Sequence, residues 1–305
     1  MGKWDGKSVG SVLGYKIFVF CIKKPGVKVA YFVLYFVAAY YFLFLKKSNR
    51  VIFYYFRKRL QYPYWKAKKM VYKNYFIFGQ TLIDKIAISA GMRDQFTYEF
   101  DGIESLKTLL AEKKGGVLIS AHIGNFEISD FFFGDIDIDL QINVVTTDLE
   151  HRAIKDYLQK VTHKAPTKFI IVKDDMSHIF EINTALANNE LVCFTGDRYL
   201  EGTKSIVGNF LGEDAHFPAG PFLIASRLRV PVVFVYVMKE PKLHYHLFAR
   251  QAEVTHRNEQ ELLNTYIRSV ESMLAKYPLQ WFNYFDFWDA FPRENNNKKS
   301  DSSAA

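Results

Sequence analysis

From about Glu99 onward the chain alternates short apolar runs with longer amphipathic stretches. GVLIS (116–120), LQINVVTT (140–147), KFIIV (168–172), LVCFT (191–195), VPVVFVYV (230–237) and HYHLFARQ (244–251) have strand length and composition. Helical patterns fall between and after them, at Leu149 to Val161, Met176 to Ala187, Pro221 to Leu228 and Asn258 to Lys276. Such alternation predicts an α/β sandwich with a central, largely parallel sheet flanked by helices. In sheets of this kind chemistry collects at the carboxyl ends of the strands. The closing ENNNKKSDSSAA is polar and low in complexity, and reads as a disordered tail. There is no internal repeat.

The first third of the chain has a different pattern. Val29 to Leu45, VAYFVLYFVAAYYFLFL, is uncharged over 17 residues. Lys23, Lys24 and Lys28 precede it and Lys46, Lys47 and Arg50 follow it. As a helix it would extend roughly 25 Å, slightly short of the ~30 Å hydrocarbon core, so either a short span or an embedded helix fits. A buried core helix is the plainer alternative, with basic flanks and scattered tyrosines against it. The following stretch, Arg50 to Lys73, interleaves cations with aromatic rings, as an interfacial segment would.

Charge sharpens this picture. The net charge is +8, yet residues 6 to 83 contain fifteen Lys or Arg and no acid, while the remainder carries seven more acids than bases. A basic front points to a polyanionic surface, nucleic acid or anionic lipid, and the uncharged segment favours the anionic membrane and argues against nucleic acid. The expected organisation is a hydrophobic membrane anchor (1–48), a basic aromatic interfacial helical segment (49–98), an α/β domain (99–292) and a disordered tail (293–305). Two cysteines, far apart and in apolar contexts, suggest neither a disulfide framework nor a metal site. No cofactor is expected.

Candidate chemistry centres on AHIGNFE (121–127). A histidine followed by an acid five residues later occurs three times, at His122 with Glu127, His151 with Asp156 and His256 with Glu261. On a helix the two side chains would point about 140° apart, which disfavours the last two pairs. His122 instead ends an apolar strand. Gly124 permits a bend, Asn125 can N-cap a following helix, and Glu127 would fold back from that helix's first turn to orient the imidazole. Backbone N–H groups around Gly124 to Phe126, those of Gly124 and Asn125 first, would then form an oxyanion site. GDR (196–198) follows another strand. Arg198 is expected to contact phosphate, with Asp197 orienting it or contacting a polar headgroup. Lys204 is a second phosphate candidate, and Phe131 to Phe133 could wall an apolar pocket.

AHIGNFE resembles the histidine, four-residue spacer and acid block of the glycerolipid and lipid A acyltransferase superfamily. VCFTGDRYLEG (192–202), FLGEDAHFPAGPFLIASRLRVPVVFVYV (210–237) and YPLQWFNYFDFW (277–288) are similar, in order, to the late acyltransferases of lipid A biosynthesis. Two departures stand out: Glu127 replaces the Asp frequent in that family, and Asn283 and Asp286 occupy a neighbourhood that usually holds an Arg. The resemblance implies transfer of a fatty acyl chain from an acyl carrier protein thioester to a hydroxyl of a membrane lipid acceptor, at the cytoplasmic face of the inner membrane. With no Gly-x-Ser-x-Gly elbow in the sequence, direct attack by the acceptor hydroxyl is expected, with His122 as base and Glu127 as its orienter. The same chemistry on an aminolipid 3-hydroxyacyl chain or a lysophospholipid, a coenzyme A donor, and a non-catalytic lipid-binding protein are the alternatives.

Overall fold

The computed structural model describes residues 26–129, 131, 141–146, 167–173, 175–199 and 202–289. The expected helix at 149–161, the His151 and Asp156 pair, Phe132, Phe133, Lys23, Lys24 and the tail lie outside the described residues.

Among the described residues three helices come first, α1 (Val27–Phe44), α2 (Lys46–Tyr54) and α3 (Tyr64–Ala87). The α/β body follows as β1 (Thr97–Asp101), α4 (Ile103–Ala111), β2 (Gly116–Ser120), β3 (Ile142–Thr146), β4 (Thr167–Ile171), α5 (Ser177–Ala187) and β5 (Leu191–Thr195). It ends with β6 (Ser205–Phe210), β7 (Glu213–Pro218), α6 (Ala219–Arg227), β8 (Val232–Glu240), β9 (His244–Ala252) and α7 (Glu259–Lys276). Seven strands form one sheet in the order β1-β9-β8-β2-β5-β3-β4. Every pairing is parallel except the β8–β9 hairpin. The expected α/β architecture with a largely parallel sheet is therefore the one observed.

The sheet is covered on both faces, so its central strands read as unbroken apolar runs rather than alternating ones. Val117, Ile119, Phe234 and Tyr236 face α6 and α7 through Phe222, Leu263 and Tyr266. Leu118, Cys193, Val235 and Val237 face the opposite layer, where Leu106 and Leu109 of α4 meet Ile83 and Ile86 of α3. Three strands were not legible in the hydropathy. β1 is an edge strand whose Tyr98 and Phe100 are only half buried. β6 and β7 form a separate hairpin turned by Leu211 and Gly212, both at positive φ (53° and 80°), as two-residue hairpin turns require.

The apolar segment is helix α1, long and apolar enough to cross a membrane by length and composition. Its two faces differ. Val27, Ala30, Leu34 and Ala38 are buried against the protein at helical spacing. Gly79 of α3 has no side chain where one would collide with Leu34, which lets the two helices approach closely. The opposite face shows Phe32, Phe36, Tyr40, Leu43 and Phe44, with Phe36 66% exposed. The first half of α3 carries Lys66, Lys68, Lys69 and Lys73 outward, while Ala67, Val71 and Tyr75 join the core.

Candidate active site

β2 and β5 run parallel, with Ser120 opposite Thr195. Gly196 continues that ladder by donating its N–H to the Ser120 carbonyl (2.9 Å), so the residues two places past each strand end meet. Those residues are His122 and Asp197. Asp197 Oδ1 lies 2.7 Å from His122 Nδ1, and Oδ2 accepts the His122 backbone N–H at 2.9 Å. Asp197 is 4% exposed, whereas the His122 side chain keeps 30% of its surface open. Gly196 is required here, because a Cβ would press on Tyr266, Ile119 and Phe222.

The electrostatics define the proton positions. Burial works against the Asp197 carboxylate, yet the neighbouring His122 and Arg198 and the bond to His122 hold its pKa below the ordinary value. An ionised carboxylate only accepts, so Nδ1 carries the hydrogen and the lone pair sits on Nε2. Among the described residues Nε2 has no hydrogen-bond partner. Burial and then the Arg198 charge hold the imidazole pKa below its ordinary 6.5, against the opposing pull of Asp197 and, more weakly, Glu127. A neutral imidazole, oriented through Nδ1 and open at Nε2, is able to remove a proton from a hydroxyl.

The C-terminal aromatic block closes one side of this site. Trp281 and Phe282 run antiparallel to residues 122–124, with Phe282 N–H donating to the His122 carbonyl (3.1 Å). Gln280 is fixed by two bonds to the Lys239 backbone, and Asn74 of α3 donates to the carbonyls of Leu279 and Trp281. Trp281, Phe287, Trp288 and Phe210 pack as one ring cluster.

The sequence profile of bacterial lipid A biosynthesis acyltransferases matches residues 11–288. The chain belongs to this family. No curated protein gives a significant match. In this acyltransferase, the ring cluster and the His122 junction are the structural counterparts of the blocks that carried the resemblance.

The sequence-predicted residues fall into two groups. His122, Asp197 and Arg198 come together at the sheet edge, and Glu127 stands nearby. Glu127 does not bond the imidazole. It lies on a short 3₁₀ turn (Phe126–Ile128), is largely exposed, and forms an ion pair with Lys85 of α3. The expected orienting role is geometrically that of Asp197, which in turn does not serve chiefly to orient Arg198. Arg198 Nη2 donates to the Phe282 carbonyl (2.8 Å), its guanidinium lies over the Phe285 ring, and burial lowers its pKa. It therefore braces the aromatic block from beside the strand-end pair. Lys204 is exposed immediately before β6.

The turn residues differ from expectation in two respects. Gly124 makes the bend at φ +63°, where a Cβ would collide with the Val237 carbonyl oxygen. The Gly124 and Asn125 amides, however, are already bonded to the carbonyls of Gln280 (2.9 Å) and Val237 (2.7 Å). They are not available to an oxyanion. The Asn125 side chain caps nothing; it is buried, donating to the Thr81 carbonyl and the Tyr245 hydroxyl. The nearest approach to a metal-ligand set among the described residues is Glu99, Glu240 and His246 on neighbouring strands, where His246 Nδ1 lies 2.9 Å from a Glu99 carboxylate oxygen.

Proposed function

We propose that this protein is an O-acyltransferase that moves a fatty acyl chain from an acyl carrier protein thioester to a hydroxyl of a lipid A-type membrane lipid precursor. The single observation that carries the reading is the His122–Asp197 pair, open at Nε2, in a chain of this family. In the proposed step the acceptor hydroxyl transfers its proton to Nε2 as its oxygen attacks the thioester carbonyl. The C–S bond then breaks, and the departing thiolate takes the proton back. Asp197 holds the tautomer and stabilises the imidazolium, while the Arg198 charge beside the ring complements the developing oxyanion. Glu127 acts from the mouth of the site, through its charge and its pairing with Lys85.

A small recess beside Asp197, lined by Tyr199, His216, Phe285, Asp286 and Phe287, has room for about one water molecule and so suits a single acceptor hydroxyl. The bare apolar face of α1 and the lysines of α3 support docking on an anionic membrane, and an acyl carrier protein donor places the body on its cytoplasmic side.

The test is mass spectrometry of total lipids with and without the gene, followed by assay of membranes with acyl carrier protein thioesters. A species short of one acyl chain names the acceptor. His122→Ala should lower turnover about 10²- to 10⁴-fold while the protein stays in the membrane fraction. Asp197→Asn should cost more than Glu127→Gln; the reverse order would return the orienting role to Glu127. Unchanged turnover in His122→Ala would sink the mechanism.

A further inference from the structure

Asp84 is the first acid after fifteen consecutive cations, and it is completely buried. It sits near the end of α3 and collects donors from three other elements. Lys239 Nζ of β8 lies 2.6 Å from Oδ2, Tyr245 Oη of β9 donates to Oδ2 at 2.5 Å, and Tyr31 Oη of α1 donates to Oδ1. Tyr245 in turn accepts from Asn125 Nδ2 at 3.2 Å. Lys239 is tied through its own backbone to Gln280, whose carbonyl takes the Gly124 amide. Lys239 and Asn125 are 8% and 6% exposed, so neither has much water as an alternative partner.

Two routes thus run from Asp84 to the bend just after His122. One passes through Tyr245 to Asn125, the other through Lys239 and Gln280 to Gly124. On the far side Asp84 holds α1, the helix whose outer face is bare. Resting on the function proposed above, we infer that this buried network is a positioning relay: seating α1 through Tyr31 fixes the turn that aims His122. The reasons are physical. A buried carboxylate with three donors is costly to leave unmet, so each donor's position constrains the others. Apolar packing of α1 alone would seat the helix without reaching the turn. A hydroxyl at Tyr31 has no packing role that phenylalanine would not fill, which leaves its bond to Asp84 as the reason for a tyrosine there. The residues act through His122 and are positioning residues, not catalytic ones.

The test compares Tyr31→Phe, Asn125→Ala and the double variant in full-length protein reconstituted in phospholipid vesicles, with thermal midpoints recorded in parallel. Tyr31→Phe should lower kcat about tenfold while KM for the acyl donor stays within twofold. The double variant should be little slower than the slower single one, because both cut one relay, whereas independent sites would multiply. A second readout does not depend on turnover. The His122 ring signal in histidine-labelled protein, assigned by its loss in His122→Ala, should shift or broaden in Tyr31→Phe. A kcat within twofold of wild type with an unmoved ring signal would overturn the relay, as would rate losses that multiply. Should His122→Ala retain turnover, the proposed function fails and the ring signal alone decides the relay.

Discussion

The imidazole of His122 is depressed by burial first and by the Arg198 guanidinium second, with Asp197 and Glu127 pulling the other way. A base of lowered pKa stays neutral further into acid, so activity should fall on an acid limb centred below the ordinary histidine value of 6.5, not above it. Removing the cation removes one cause of the depression. In Arg198→Gln the limb of kcat/KM should therefore move toward neutral pH, while Arg198→Lys, which keeps the charge, should leave it nearer the wild-type position. A pH–rate profile of the three proteins checks the direction. His122, the proposed base, stood out in the sequence because a strand, a glycine bend and a nearby acid are local features. Its partner was not, because Asp197 is 75 residues away and reaches Nδ1 only through the register of β2 on β5. Once that register is known the pairing follows directly: Ser120 opposite Thr195 puts His122 opposite Asp197.

Helix α1 shows how one element serves two surroundings. Ala30, Leu34 and Ala38 give a narrow face of small and medium residues for α3, and Phe32, Phe36, Tyr40, Leu43 and Phe44 give a ring-rich face on which every side chain is more than half exposed. Burying those rings in a bilayer is worth roughly 1.5–3 kcal/mol for each large apolar side chain. Phe32→Ser with Phe36→Ser should shift the protein from the membrane to the soluble fraction in flotation assays, whereas Lys68→Gln with Lys69→Gln should weaken retention mainly on anionic vesicles and at low salt. Equal loss on neutral and anionic vesicles in the lysine variant would remove the electrostatic part of this reading. The apolar stripe itself was plain in the sequence. Which residues face protein was not, since a helix apolar all round has no sequence-marked inner side.

The molecule as a whole is held together across the boundaries drawn from composition. Ala38, Ile52, Ala67 and Val71 of the first three helices, with Tyr55 in the turn that follows α2, share a hydrophobic cluster with Phe234, Leu263 and Trp281 of the body. The buried Asp84–Lys239 pair adds a charged tie between α3 and β8. Asp84→Asn keeps the shape but leaves an ammonium buried without its counter-charge, and should destabilise the protein by about 3–5 kcal/mol. Urea unfolding in detergent, read as a midpoint shift at unchanged slope, measures this. A surface pair removed in the same way, such as Glu104→Gln beside Lys107, should move the midpoint little, by less than about 0.5 kcal/mol. The sequence by itself determined the alternation of strands and helices, the apolar first helix, the basic front and the histidine at a strand end, because each is written in residues within a few turns of one another. Only the tertiary structure decided that Asp197 orients His122, that the Gly124 and Asn125 amides are already bonded, and that Asp84 gathers four elements beneath the turn. Those three depend on strand register and helix docking between residues 53 to 161 apart in the chain, and no local pattern encodes such distances.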